Sequence, residues 1–122
     1  MKILIVEPGR HPRREDIPHT LKNLQQIVGG YIQAVYWFDD PVALVCDDEG
    51  KLKGYELNRA VAGRDIIAGT FFICGLSEDD FTDLADDLAE KYERLFYYPQ
   101  AFVRVKDGIM AISADGRREL IR

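Results

Sequence analysis

Histidine and cysteine are scarce in this chain, two of each in 122 residues. Cys46 and Cys74 form no CxxC pair and have no histidine close in sequence. Each ends an apolar, β-branched run, Val42–Cys46 and Phe71–Cys74. That setting predicts two buried, reduced core thiols, because a reactive thiolate needs a base and a polar environment. His11 and His19 stand in a proline-rich stretch, and a metal site there would need further ligands from distant loops, so no metal is expected. Long apolar runs are also missing. The longest, Ile66 to Leu76, is interrupted by Gly69, Thr70 and Gly75 and is too short to cross a bilayer. The N-terminus has only Ile3–Val6 as an apolar stretch before Glu7-Pro8-Gly9, so no signal peptide is read and a cytoplasmic location is expected. There is no GxGxxG, phosphate-loop lysine, HExxH or GxSxG motif. No cofactor is expected, and the chain is read as non-catalytic. Repeats and low-complexity tracts are absent too.

An excess of positive charge is the last absence. The formal net charge is −5, and the stretch Ser77–Phe96 alone carries −6, which leaves +1 for the rest. Nucleic-acid binders draw most of their affinity from basic contacts to phosphate, so general nucleic-acid binding is not expected. What is present is 47% hydrophobic and 30% charged residues, the composition of a folded chain. At this length it reads as one domain, 1–122, with a charged, frayed tail over 115–122.

Periodicity gives the elements. Ile3–Val6 is a buried strand ended by a turn, and residues 9–18, with prolines at 12 and 18, read as a loop. Thr20 caps a helix with Leu21, Leu24, Ile27 and Val28 on one face, and Gly29-Gly30 stops it. Tyr31–Phe38 and Val42–Cys46 are an antiparallel pair of strands. Asp48–Lys51 is a tight turn from which Leu52 begins a return strand, and Leu57–Val61 is a single helical turn. Asp65–Cys74 is the most apolar strand and belongs at the centre of the sheet. Ser77 caps a long helix to Phe96, which buries Phe81, Leu84, Leu88 and Leu95. A hairpin, Phe102–Lys106 and Ile109–Ser113 about Asp107-Gly108, closes the chain. The order is β-α-β-β-(short helix)-β-α-β-β. The fold class is α+β, a mixed or antiparallel sheet of five to six strands with both helices on one face.

Two charged features are candidate sites. Arg10, Arg13 and Arg14 follow the first strand, where ligands collect in α/β sheets, and guanidinium forks suit carboxylate or phosphate. The competing reading is a solvated loop balanced by Glu15 and Asp16. Asp83, Asp86, Asp87 and Glu90 line the long helix, with the last three too deep to benefit from its N-terminus. They read either as a solvated face or as a stripe that binds a basic partner or imitates DNA phosphates.

Three segments, Leu24–Val35, Glu49–Ala60 and Asp65–Thr70, are familiar together. In this order and spacing they resemble the domain of unknown function 3846 family, which occurs in bacteria, their phages and mobile elements. The likeness runs from the first strand to about the long helix. It implies context rather than a reaction. If the family shares a site, its candidates here are Gln33, Lys51, Asn58 and Arg59, or else Asn58 is a turn or cap residue. Relatives often carry glutamate at the position of Gln33 and proline at that of Glu56, so no catalytic role is read at Gln33. The leading expectation is an accessory, protein-interaction domain with a protein partner. Its rivals are a small-ligand or nucleotide-binding domain using the Arg10–Arg14 loop and Asn58-Arg59, and an acidic decoy of a DNA-binding protein.

Overall fold

The computed structural model describes residues 1–122 as two helices and eleven strands, with antiparallel pairing throughout. The α+β class therefore stands. The main sheet has six strands. It is built from β1 (Lys2–Val6), β2 (Arg13–Asp16), β3 (Ile32–Val35), β4 (Val42–Asp47), β7 (Phe71–Leu76) and β8 (Phe81–Thr82). Its order is β2-β1-β7-β4-β3, with β8 on the end of β7. A separate hairpin pairs β5 (Leu57–Val61) with β6 (Asp65–Ala68). A three-stranded sheet, ordered β11-β10-β9, ends the chain with β9 (Gln100–Val105), β10 (Gly108–Ser113) and β11 (Arg118–Ile121).

The apolar runs of β1, β4 and β7 do not alternate with polar residues because both faces of the main sheet are covered. Ile3, Ile5, Ala43, Val45, Phe72 and Cys74 face α1 (Leu21–Val28), which contributes Leu24 and Val28. Leu4, Val6, Val42, Leu44, Phe71 and Ile73 face the other way, onto α2 (Asp86–Leu95) and the β5–β6 hairpin. The two helices thus lie on opposite faces, not on one. The Thr20 hydroxyl accepts from Asn23 N at 3.2 Å, and Gly29 takes the left-handed C-cap at φ +96°, as the sequence predicts.

The long helix is shorter than its stripe predicts. Ser77 caps no helix. Its hydroxyl donates to Asp80 O, Asp80 Oδ1 accepts from Phe81 N, and Asp83 Oδ1 accepts from Lys2 N at 2.8 Å. Side chains that satisfy nearby backbone groups compete with helix, and here they win. Phe81 then packs on the α1 side of the sheet and Leu84 on the α2 side, which one helical face could not do. Leu84, Ala89, Tyr92 and Phe96 are buried, whereas Phe81 and Leu88 are partly covered and Leu95 is 50% exposed. Asp86 and Asp87 therefore sit in the first turn of α2, where the helix dipole favours them.

Further expectations change. Residues 13–16 are a strand on β1 rather than loop. Leu57–Val61 is a strand, not a helical turn. Asp65–Cys74 divides at Gly69-Thr70 into β6 of the hairpin and the central β7. Leu52 lies on the turn and starts no strand, and the tail is tied down as β11, with Ile121 buried. The last hairpin forms, but its two-residue turn is Lys106-Asp107 with Gly108 opposite Val105, one residue earlier than the sequence predicts.

Candidate functional site

The three segments that carry the family likeness meet around one ring. Tyr55 follows the turn after β4. Its hydroxyl donates to Gly29 O at 3.2 Å, and its ring lies against Gly69. A Cβ on Gly29 would stand 2.8 Å from the Tyr55 hydroxyl oxygen, and one on Gly69 2.6 Å from Tyr55 Cδ2. Both glycines also have positive φ, +96° and +82°, so side chains are excluded twice over. Beside them Lys53 Nζ donates to Asp47 Oδ2 at 2.7 Å. Burial alone would raise the Asp47 carboxyl. Hydrogen bonds from Lys53 and from Glu49 N outweigh it and hold the group below the usual carboxylate range. This cluster fixes the turn of residues 48–54 against the end of α1.

Asn58 and Arg59 are both buried, although neighbours in a regular strand point to opposite faces. The register of the hairpin shifts between Leu57 and Arg59, a bulge that re-aims both side chains inward. Asn58 Nδ2 donates to Val6 O at 2.9 Å and to Gly69 O at 2.8 Å. Arg59 Nη1 donates to Asn58 Oδ1 at 2.8 Å. Its Nη2 donates to Arg10 O at 2.6 Å and Phe96 O at 2.9 Å, and Nε also reaches Phe96 O. No carboxylate joins in. Desolvation lowers the guanidinium to about 10. The loop after β1 and the end of α2 thereby each place a carbonyl on the Arg59 cation, while Asn58 takes the carbonyl at the end of β1.

The basic loop is dispersed by comparison. Arg13 is paired with Glu7 and Glu15 and Arg14 with Glu93, so both are engaged on β2. Arg10 is exposed, and only its backbone joins Arg59. Lys51 and Gln33 do come together, on the rim of a cavity of about 210 Å³ that also takes in Asp48 and Asp65. Lys51 Nζ already binds Asp65 Oδ1 at 2.5 Å. Asn58 and Arg59 do not line that cavity. Of the four predicted acids, Asp86, Asp87 and Glu90 share α2, Glu90 is bonded to Arg94, and Asp83 is separated from them. No group of three or more histidine, cysteine or acidic side chains gathers in a metal-binding arrangement.

The C-terminal sheet presents a surface that periodicity reading missed. Cross-strand partners place Ala101, Ile112 and Arg118 in one row, Val103, Met110 and Leu120 in the next, and Val105 with Gly108 in a third. Directly paired residues share a face. The opposite face holds the buried Ala111, Ser113 and Ile121 and turns to the β5–β6 hairpin, where Gln100 Oε1 accepts from Ala60 N at 2.7 Å. The first face packs into neither hydrophobic cluster, and Val103 is 49% exposed. Apolar residues stand at both parities along 100–113, so alternation does not mark which face is outward.

Residues 1–97 match the family described as Domain of unknown function (DUF3846). The chain belongs to the DUF3846 family. Comparison with curated proteins and with solved structures finds no match. The matched region ends just before β9, so the DUF3846 part comprises the main sheet, both helices and the β5–β6 hairpin, and the three-stranded sheet lies beyond it. Within the DUF3846 part, Gly29, Tyr55, Asn58, Arg59 and Gly69, all in the three familiar segments, each have an internal partner.

Proposed function

We propose that this DUF3846 protein is a non-catalytic interaction domain that binds a protein partner through the outward face of the β9–β11 sheet. One observation carries the reading: an apolar face of Ala101, Val103, Met110, Ile112 and Leu120 that joins neither hydrophobic cluster, with Ala101 and Val103 exposed and the other three half-buried. Exposed apolar sheet faces are binding surfaces when they are not covered internally. Arg118 shares that face, at its β11 margin. The fitting partner is therefore a protein segment with an apolar strip edged by acidic side chains. The Asn58-Arg59 candidates support this reading indirectly, because their donors are spent on backbone carbonyls rather than held open for a ligand.

A photoreactive residue in place of Val103, with one at the exposed Leu52 as control, tests the proposal. The expected outcome is an adduct from position 103 alone, to a partner peptide that is both apolar and acidic, and its loss when Met110→Glu is added. Equal adducts from both positions would contradict it. So would an adduct only to a second copy of the chain, which the doubled mass would reveal.

A further inference from the structure

A second surface, built by the buried guanidinium, carries aromatic rings instead of aliphatic ones. Arg59 binds both Arg10 O and Phe96 O, which brings residues 10 and 11 against the segment after α2. There His11 stacks on Tyr97, with ring centroids 4.3 Å apart at 25°, and His11 Nδ1 donates to Tyr97 O at 2.6 Å. Tyr98 meets Tyr97 edge-on at 5.0 Å. The Arg117 guanidinium lies 6.0 Å over the Tyr98 ring. Ala114 N donates to Pro99 O at 2.9 Å and so fixes the Arg117 turn beside the rings. These rings are not core. Tyr97 is 46% and Tyr98 38% exposed, and His11, Arg10 and Arg117 are exposed as well. Arg10 makes no ion pair, unlike Arg13 and Arg14, while Arg117 is held by Asp115 at 2.8 Å.

We infer that this surface binds a nucleobase-bearing phosphate, the base stacked on the His11–Tyr97–Tyr98 rings and the phosphate taken by Arg10. Flat aromatic faces beside a guanidinium are what single-stranded nucleic acids and nucleotides exploit, and stacking tolerates any base. The net charge of −5 gives no general attraction for polyanions, so the base must supply the affinity and a bare phosphate must not suffice. The ligand chemistry is shared by a free nucleotide and by a segment of single strand. The inference is independent of the β9–β11 face, since neither surface contains residues of the other.

Titrations followed by nuclear magnetic resonance of His11, Tyr97 and Tyr98 test it. The probes are adenosine monophosphate, a short oligodeoxyadenylate and inorganic phosphate. Adenosine monophosphate should shift all three residues saturably at millimolar concentration, and inorganic phosphate should not. Tyr98→Leu and Arg10→Gln alter exposed side chains only, so they should unfold at the wild-type temperature. Each should weaken nucleotide binding by about fivefold or more. Tighter binding of the oligomer assigns the surface to a strand, and equal binding assigns it to a free nucleotide; either supports the inference. No saturable shift, an equal response to inorganic phosphate, or undiminished binding by folded Tyr98→Leu would overturn it.

Discussion

Replacing Arg59 by methionine removes the one cation on which three parts of the chain converge. Three acceptors then lose their short bonds: Asn58 Oδ1 at 2.8 Å, Arg10 O at 2.6 Å and Phe96 O at 2.9 Å. An unsatisfied buried acceptor costs about 1–3 kcal/mol, so the three together cost about 3–9 kcal/mol. Against this, the desolvation that lowers the guanidinium from 12.5 to about 10 no longer applies, and a shift of that size is worth about 3 kcal/mol. The balance is a loss of about 0–6 kcal/mol, centred near 3 kcal/mol, a large part of the roughly 5–15 kcal/mol that holds a domain together. Urea unfolding read from the single tryptophan, Trp37, which packs against the larger core cluster, measures it. Arg59→Lys should also destabilise, because one ammonium cannot span acceptors set for a planar fork. Asn58→Ala combined with Arg59→Met should cost clearly less than the two single losses added, since both act on one network. An unchanged unfolding midpoint for Arg59→Met would refute the reasoning and return the guanidinium to the pool of ligand-binding candidates.

Other consequences follow from the same packing. Leu84→Ala should cost about 2–5 kcal/mol and Leu95→Ala less than about 1 kcal/mol, as chemical denaturation would show, because only Leu84 is buried. Gly75→Ala should destabilise by about 1–3 kcal/mol in the same assay, since its Cβ would stand 2.3 Å from the backbone oxygen of Asp83. Burial pushes the Cys46 and Cys74 thiols up from 9.0 to about 11 and about 12. Their folded values exceed the unfolded one, so their contribution is complete below about pH 9 and is lost as the pH rises towards 12. Thermal unfolding across that range should fall less steeply for the Cys46→Ala/Cys74→Ala variant than for the wild type.

The legible parts of the fold were those where one local signal decides. Thr20 and Gly29 bound α1 because cap chemistry is local, and Asp107-Gly108 marked the last hairpin, although the turn itself is Lys106-Asp107 and the register lies one residue from the expected one. The apolar runs of β1, β4 and β7 were visible as strands. Their complete burial, with a helix on each face, was not, because a continuous run does not say what covers it. The Ser77–Phe96 stripe misled for a different reason. Phe81 and Leu84 hold helical spacing, yet Asp80 and Asp83 bind backbone groups, one of them at Lys2, a partner no local window contains. Asn58-Arg59 stood out as polar residues in a familiar segment. Their role depends on a bulge and on carbonyls from distant residues, Val6, Arg10 and Phe96, and spacing encodes none of that. The outward face of β9–β11 was hidden because apolar side chains occupy both parities of its strands.

Amide hydrogen exchange with the cross-linked partner bound tests the interaction reading most directly. The reading predicts added protection at residues 100–121, strongest along β9 and β10 about Val103 and Met110, with the Asn58-Arg59 bulge unaffected. Protection centred on the cavity rim at Gln33 and Lys51, or on the acids of α2, with β9–β11 unchanged, would contradict it.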